Sequence, residues 1–170
     1  PLMLHTLWPN PVSAGEDDLI YYYPLRRMMG ESLREGRWPI DNPREACGSV
    51  LLADPQAALL HPTTWMFAVM EARPAYALSI WCAFWLAGTG TWLYARRLGL
   101  RPVAALFAAV VFTYSGFMIG HRVHLSVLLC AAMLPWGLWC IEALRWAPAR
   151  ALAWWVPSAF LAAAAGHWPT

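Results

Sequence analysis

Two long runs without a charged residue constrain the fold of this chain more than any other feature. They cover residues 74–95 and 102–120, and each is close to the ~20 residues with which a helix crosses the hydrocarbon core of a bilayer. Arg96, Arg97 and Arg101 lie between the two runs and cannot follow them into lipid. The sequence therefore predicts an integral membrane protein.

Two further apolar segments extend this pattern towards the end of the chain. Segment 123–143 is apolar apart from His124 near its start and Glu142 near its end, and segment 151–167 is shorter and contains Pro157. A proline inside a membrane helix bends it but is tolerated. The short loops between the segments predict an all-α, polytopic bundle of about four antiparallel transmembrane helices, which occupies residues 74–170.

Composition supports the membrane class and excludes others. The chain is 59% hydrophobic and 13% charged, with 12 tryptophans that suit bilayer interfaces. A net charge of only +2 gives no indication of nucleic-acid binding. The four cysteines show neither a CxxC pair nor zinc-ligand spacing with histidine, so we expect no metal cluster and no disulfide framework.

Basic residues in the short loops predict the orientation of the chain in its membrane. Arg96, Arg97 and Arg101 follow the first span, and Arg145 and Arg150 precede the fourth, so these ends should be cytoplasmic. By alternation residues 1–73 form an extracytoplasmic loop. Because the chain begins with proline and stops just after an apolar run, we interpret it as a fragment of a longer protein.

The extracytoplasmic loop contains one predicted amphipathic helix, over residues 24–35. Apolar residues recur at helical spacing from Leu25 to Leu33, and Gly36 is a typical helix stop. Such a helix is expected to rest at the membrane surface, with its arginines directed towards lipid phosphates.

Three carboxylates in this loop are candidates for catalysis. Asp17 and Asp18 are suited to act as a general base and its neighbour, as metal ligands, or as a cap at a helix start. Asp54 precedes a proline, where it forms either an Asx turn or a second site carboxylate. Local sequence favours the cap and the Asx turn.

Cationic residues form two groups that are suited to phosphate. Arg26 and Arg37 carry forked donors that can grip a phosphate, although a helix on an anionic bilayer uses arginine in the same way. His121, Arg122 and His124 lie where two spans meet, either as an interfacial polar cap or as a phosphate contact. Two histidines are too few for a metal site.

The order of several short motifs carries a family resemblance. The motifs are DDLIYYYPLRR, ESLREGRWPIDNP, LLADPQAALLHP, RRLGLRPVAALFAAVVFTYSGFMIGHRVHLSVL, LPW and AGHWP. This series resembles the amino-terminal part of the bacterial YfhO-like membrane proteins, which look like members of the GT-C class of glycosyltransferases. One departure is PIDNP, where Asp41 takes the place of a tryptophan that is common in the family.

The resemblance implies transfer of a sugar from a polyprenyl-phosphate donor to an extracytoplasmic cell-envelope acceptor. It matches Asp18 to the catalytic carboxylate, with Asp17 as the alternative, and Asp54 to a second motif position. Arg26, Arg37 or the segment from His121 to His124 would hold the phosphate, and Tyr22 would stack on a sugar or lie in the interface. It implies no cofactor and leaves a divalent cation open.

Two other functions remain open at this stage. One is a transporter or flippase for a lipid-linked substrate, and the other is a non-catalytic membrane scaffold that docks a partner. Transporters usually have ionisable groups near the bilayer midplane, and these spans have almost none. The enzyme hypothesis predicts that Asp18, Asp54 and the loop from His121 to His124 converge on one cavity, whereas a scaffold leaves them dispersed.

Overall fold

A computed structural model describes residues 18–42, 48–51, 54–145 and 147–166 of the chain. This part of the protein is predominantly helical, and it confirms the all-α class. The predicted site residue Asp17 and the last residue of the predicted fourth span, His167, lie outside the described residues.

Residues 18–42, 48–51 and 54–71 form a cap on one end of the helix bundle. A π-helical turn, Asp18–Tyr22, leads into α1, Tyr23–Arg34, and two short antiparallel strands follow, β1 at Asp41–Asn42 and β2 at Ser49–Val50. The cap continues with a 3₁₀ turn, Pro55–Ala57, and ends with α2, Pro62–Val69. Pro24 in the first turn of α1 suits a helix start, because its missing N–H would have no partner there.

The apolar face of α1 is covered by the cap itself. A small core joins Leu25, Met28 and Met29 of α1 to Leu51 and Leu59. The predicted helix over residues 24–35 is thus confirmed as α1, but its apolar side does not face a lipid surface. Periodicity identified the buried face correctly and could not identify what buries it.

Close contact with α2 fixes α1 from its other side. A β-carbon at Gly30 would lie 2.7 Å from Cβ of Phe67, so only glycine permits this approach. Arg34 donates to the carbonyl oxygens of Phe67 and Met70, both at 3.0 Å. These bonds satisfy carbonyl groups at the end of α2 that have no partner within the helix.

The bundle consists of the remaining helices. They are α3 at Ala72–Arg97, α4 at Pro102–Thr113, α5 at Gly116–Gly120, α6 at Leu125–Ala143 and α7 at Pro148–Ala164, with a 3₁₀ turn at His121–Val123 before α6. Helix α3 packs against both α4 and α6, and α7 packs against α6. The core between them is built mainly from alanine, leucine and methionine.

Two of these segments are long and apolar enough to cross a bilayer. They are Pro102–Val123, which includes a break where Ser115 caps α5, and Leu125–Ala143. Helix α3 has 26 residues, but its tryptophans, threonines and glycines reduce its hydropathy, and α7 has only 17 residues. The described part of each of the four predicted segments is mainly helical, while the bundle of four spans stays a prediction.

Candidate substrate site at the capped end of the bundle

Asp54 organises the turn at the centre of the candidate site. Its Oδ1 accepts the backbone N–H of Gln56 at 2.9 Å, which confirms the predicted Asx turn. Its Oδ2 accepts the hydroxyl of Tyr21. Because both carboxylate oxygens are hydrogen-bonded within the protein, this geometry suits a structural acceptor better than a general base.

Tyr22 joins this turn to the beginning of α6. Its ring is 4% exposed, and its hydroxyl lies 2.9 Å from Oε1 of Gln56 and 3.1 Å from Oγ of Ser126. On the opposite side, a side chain at Gly166, beyond α7, would overlap the carbonyl group of Pro55. The turn is therefore held between the π-helical turn before α1, the beginning of α6 and the end of α7.

A row of rings connects the turn to the predicted histidine pair. The ring centroids of Tyr21 and Tyr22 are 5.1 Å apart, and those of Tyr22 and His124 are 6.3 Å apart. His124 lies 5.6 Å from His121, which stacks on Phe117 at 4.1 Å. The structure thus brings Asp54 and both histidines into one continuous cluster through two tyrosines.

The two histidines of this cluster line one end of a large groove beside α6, whereas Asp54, Tyr21 and Tyr22 are not among its lining residues. The groove has a volume of about 870 Å³, and His121, His124 and Ser115 are among its lining residues. Apolar residues on one face of α6 continue the lining, namely Val127, Ala131, Leu134, Leu138 and Ile141. At ~1.5 Å rise per residue, the groove follows α6 for about 26 Å. The groove is therefore apolar along α6 and polar at one end.

Arg26 lies inside the cap and does not line this groove. It is fully buried, and its Nη1 donates to the carbonyl oxygen of Ala58 at 3.4 Å and to the hydroxyl of Thr64. Burial lowers its pKa to about 10, against the opposing effect of nearby tyrosines and Asp54. Its side chain therefore remains a cation at neutral pH. Because it is buried inside the cap and does not line the groove, a phosphate in the groove cannot contact it.

The other predicted cationic residues are distributed differently. Arg37 is exposed and pairs with Glu35, with 3.1 Å between its Nε and Oε2, an arrangement that contributes little stability at a surface. It does not line the groove. Arg122 is half-buried in the 3₁₀ turn His121–Val123 before α6, and it does not line the groove either.

The backbone of Asp18 begins the turn that carries both tyrosines. It stands about one helical turn before Tyr22. The structure thus links Asp54, Tyr22, His121 and His124 through contacts, but of these only the histidines line the groove, so the predicted convergence of Asp18, Asp54 and the histidine loop on one cavity stays a prediction. Among the described residues, no three side chains of His, Cys, Asp or Glu form a group that would hold a metal ion.

Sequence reasoning assigned no role in this cluster to Gln56, Ser126 or Gly166, although each lies inside one of the motifs that carry the family resemblance. The signal that could have found them is this membership, because residues of one motif often lie at the same place in the fold.

Comparison of the chain with protein-family models, with curated proteins and with solved structures gave no match.

Proposed function

We propose that this chain forms part of a bacterial membrane glycosyltransferase of the GT-C class, which transfers a sugar from a polyprenyl-phosphate donor to an extracytoplasmic cell-envelope acceptor. The observation that supports this proposal best is the apolar groove along α6 with His121 and His124 lining its end. A lipid-linked sugar combines a long hydrocarbon chain with a polar head, and the groove has the same division.

The dimensions of the groove suit the donor. Its run of about 26 Å along α6 is close to the ~30 Å thickness of a bilayer hydrocarbon core. A polyprenyl chain lying there would bury apolar surface against residues such as Val127, Leu134 and Leu138. Its phosphate would then reach the level of His121 and His124, at headgroup depth.

The reaction requires one proton acceptor and a group that holds the leaving phosphate. The acceptor hydroxyl forms a bond to the anomeric carbon and loses its proton to Asp18. The bond from that carbon to the phosphate oxygen breaks, and its electron pair stays on the polyprenyl phosphate. His121, Arg122 and His124 stabilise the charge on that phosphate. Asp54 positions the turn and takes no proton.

A flippase for the same lipid-linked substrate is the second candidate, because a groove that follows α6 for most of a bilayer thickness also suits a lipid that moves between leaflets. Along the groove, the lining residues beyond the histidines are apolar apart from the weakly polar Cys130. Transporters usually carry ionisable groups near the midplane, so this lining favours the enzyme.

The test is sugar transfer from a radiolabelled polyprenyl-phosphate sugar by the protein in bacterial membranes. The Asp18→Asn variant should reduce transfer by about 100-fold or more, because the proton acceptor is lost, while its amount in the membrane is unchanged. The matched control is Asp41→Asn, at an exposed position on β1, which should transfer normally.

Full transfer by Asp18→Asn would refute the assigned base, and Asp17→Asn would then be measured in its place. If the wild-type protein moves the lipid-linked sugar across vesicles without transferring it, the flippase replaces the enzyme.

A further inference from the structure

Helix α2 of the cap distributes its polar and apolar residues in an inverted way. Thr63, Thr64 and Phe67 are buried, whereas Trp65 is 44% exposed and Val69 is 81% exposed. Trp65 and Val69 are four residues apart and therefore lie on the same side of the helix. Two hydroxyl-bearing side chains thus lie on the buried side and two large apolar ones on the exposed side, which is the reverse of a surface helix in a soluble protein.

Trp38 enlarges the exposed apolar side of α2. Its side chain is 56% exposed, and its ring meets that of Trp65 edge to face, with 5.7 Å between the ring centroids. No aspartate, glutamate, lysine or arginine occurs in residues 55–70, which include all of α2. A helix that is apolar on every side is expected to be covered. We call Trp38, Trp65 and Val69 the α2 apolar face.

The neighbouring helix α1 presents the opposite kind of surface. Its exposed positions include Arg27 and Arg34, and its apolar side is buried within the cap. The exposed side of α1 therefore suits water, whereas the exposed side of α2 suits an apolar medium. A general excess of exposed apolar residues throughout the cap would not produce this difference.

Packing of the cap places α2 near the level at which the bundle would enter a bilayer. Phe67 of α2 belongs to the same buried core as Leu125 and Leu128 at the beginning of α6, and α6 is long and apolar enough to cross a membrane. Only Met70 and Glu71 separate α2 from α3. Tryptophan is typical of this level, because its ring is apolar while its N–H can donate to water or to lipid oxygen atoms.

We propose that the α2 apolar face is immersed in the bilayer interface, against the glycerol and upper acyl regions of phospholipids. The interfacial role that the sequence predicted for α1 then belongs to α2. Burial of these side chains in lipid removes apolar surface from water and holds the cap against the membrane. The proposal rests on insertion of the bundle in a membrane and not on sugar transfer, so its failure and that of the proposed enzyme are distinguishable.

The test is electron paramagnetic resonance of a nitroxide spin label at position 69, in the full chain reconstituted into vesicles of phosphatidylglycerol and phosphatidylcholine. The label is attached to Val69→Cys in a chain that also carries Cys47→Ala, Cys82→Ala, Cys130→Ala and Cys140→Ala. Power saturation compares its collisions with lipid-soluble oxygen and with a water-soluble nickel chelate. The matched control is Arg27→Cys, at an exposed position on α1.

We expect the label at position 69 to lie about 5–10 Å into the headgroup and acyl boundary, with an oxygen-to-nickel collision ratio at least about threefold higher than at position 27. Equal ratios at the two positions would place the α2 apolar face in water and overturn the proposal. Protection of position 69 from both oxygen and nickel would mean that protein covers this face, and would overturn the proposal equally.

If the chain without cysteines does not fold, tryptophan fluorescence carries the test with the native cysteines in place. The emission that the double variant Trp38→Phe/Trp65→Phe removes from the wild-type spectrum belongs to the two exposed rings. Phosphatidylcholine with brominated acyl chains should quench this emission, and iodide in the water should not. Quenching by iodide without quenching by the brominated lipid would contradict immersion in the bilayer.

Discussion

At the scale of single residues, burial inside the cap lowers the pKa values of Arg26 and His61. His61 is 3% exposed, and its Nδ1 accepts the backbone N–H of Thr63 at 3.3 Å, which caps α2. Burial, followed by the positive charge of Arg26, lowers the pKa of His61 to about 4. The imidazole is therefore neutral at pH 7 and available as an acceptor at the helix start.

This depressed pKa predicts that the cap loses stability in mild acid. In the unfolded chain His61 takes up a proton near its ordinary pKa of about 6.5, whereas in the folded cap it does so only near 4. The stability that the cap gains from keeping His61 neutral is fully present above about pH 6.5 and is lost as the pH falls towards 4. At pH 5 the loss should be ~2 kcal/mol.

Hydrogen exchange of the α1 and α2 amides at pH 7.5 and pH 5, corrected for intrinsic rates, measures this loss as a change in the free energy of opening. The His61→Asn variant keeps a capping acceptor that does not titrate, and it should remove most of the pH dependence. An equal pH dependence in the wild type and in His61→Asn would contradict the assignment.

At the scale of elements, most helix positions could be predicted from the sequence because charge and proline mark their ends. Three of the four ends of the predicted segments 102–120 and 123–143 coincide with helix bounds, and the fourth, residue 123, ends the 3₁₀ turn two residues before α6. The break between α4 and α5 was not predicted. Tyr114 and Ser115 carry no charge, and the Ser115 cap is visible only in the structure.

The contact of α3 with α6 depends on one small residue. A β-carbon at Gly90 would lie 2.6 Å from the indole ring of Trp136, whose Nε1 donates to the carbonyl oxygen of Leu86 at 2.9 Å. Small residues let membrane helices approach closely. The indole cannot move without losing this hydrogen bond and its packing against α3.

Gly90→Ala should therefore destabilise the bundle by about 1–3 kcal/mol, through crowding at this contact. The matched control is Gly137→Ala on α6, where a β-carbon meets no atom within 4 Å and helix propensity favours alanine. Thermal unfolding in detergent, followed by circular dichroism, should show a lower midpoint for Gly90→Ala only. Equal midpoints for the two variants would contradict the predicted crowding between position 90 and Trp136.

At the scale of the whole molecule, the candidate site could be predicted from the sequence in part. The enzyme hypothesis predicted that Asp54 and the histidine loop converge on one cavity; the structure joins them through Tyr21 and Tyr22, although Asp54 does not line the groove. The role of Arg26 could not be predicted, because sequence reports its charge and not its burial among the residues of α1 and the 54–64 segment. The groove was also beyond sequence reasoning, since its shape depends on how α6 packs with its neighbours.

The proposal that the groove along α6 holds a lipid-linked substrate is tested most directly by photocrosslinking. The protein in membranes is irradiated with a polyprenyl phosphate that carries a photoreactive group in its hydrocarbon chain, and the modified peptides are identified by mass spectrometry. We predict labelling at groove residues such as Val127 and Leu134, which unlabelled polyprenyl phosphate removes by competition. Labelling that is insensitive to competitor and equally strong at Val103 and Phe107, which are exposed on α4 outside the groove, would contradict it.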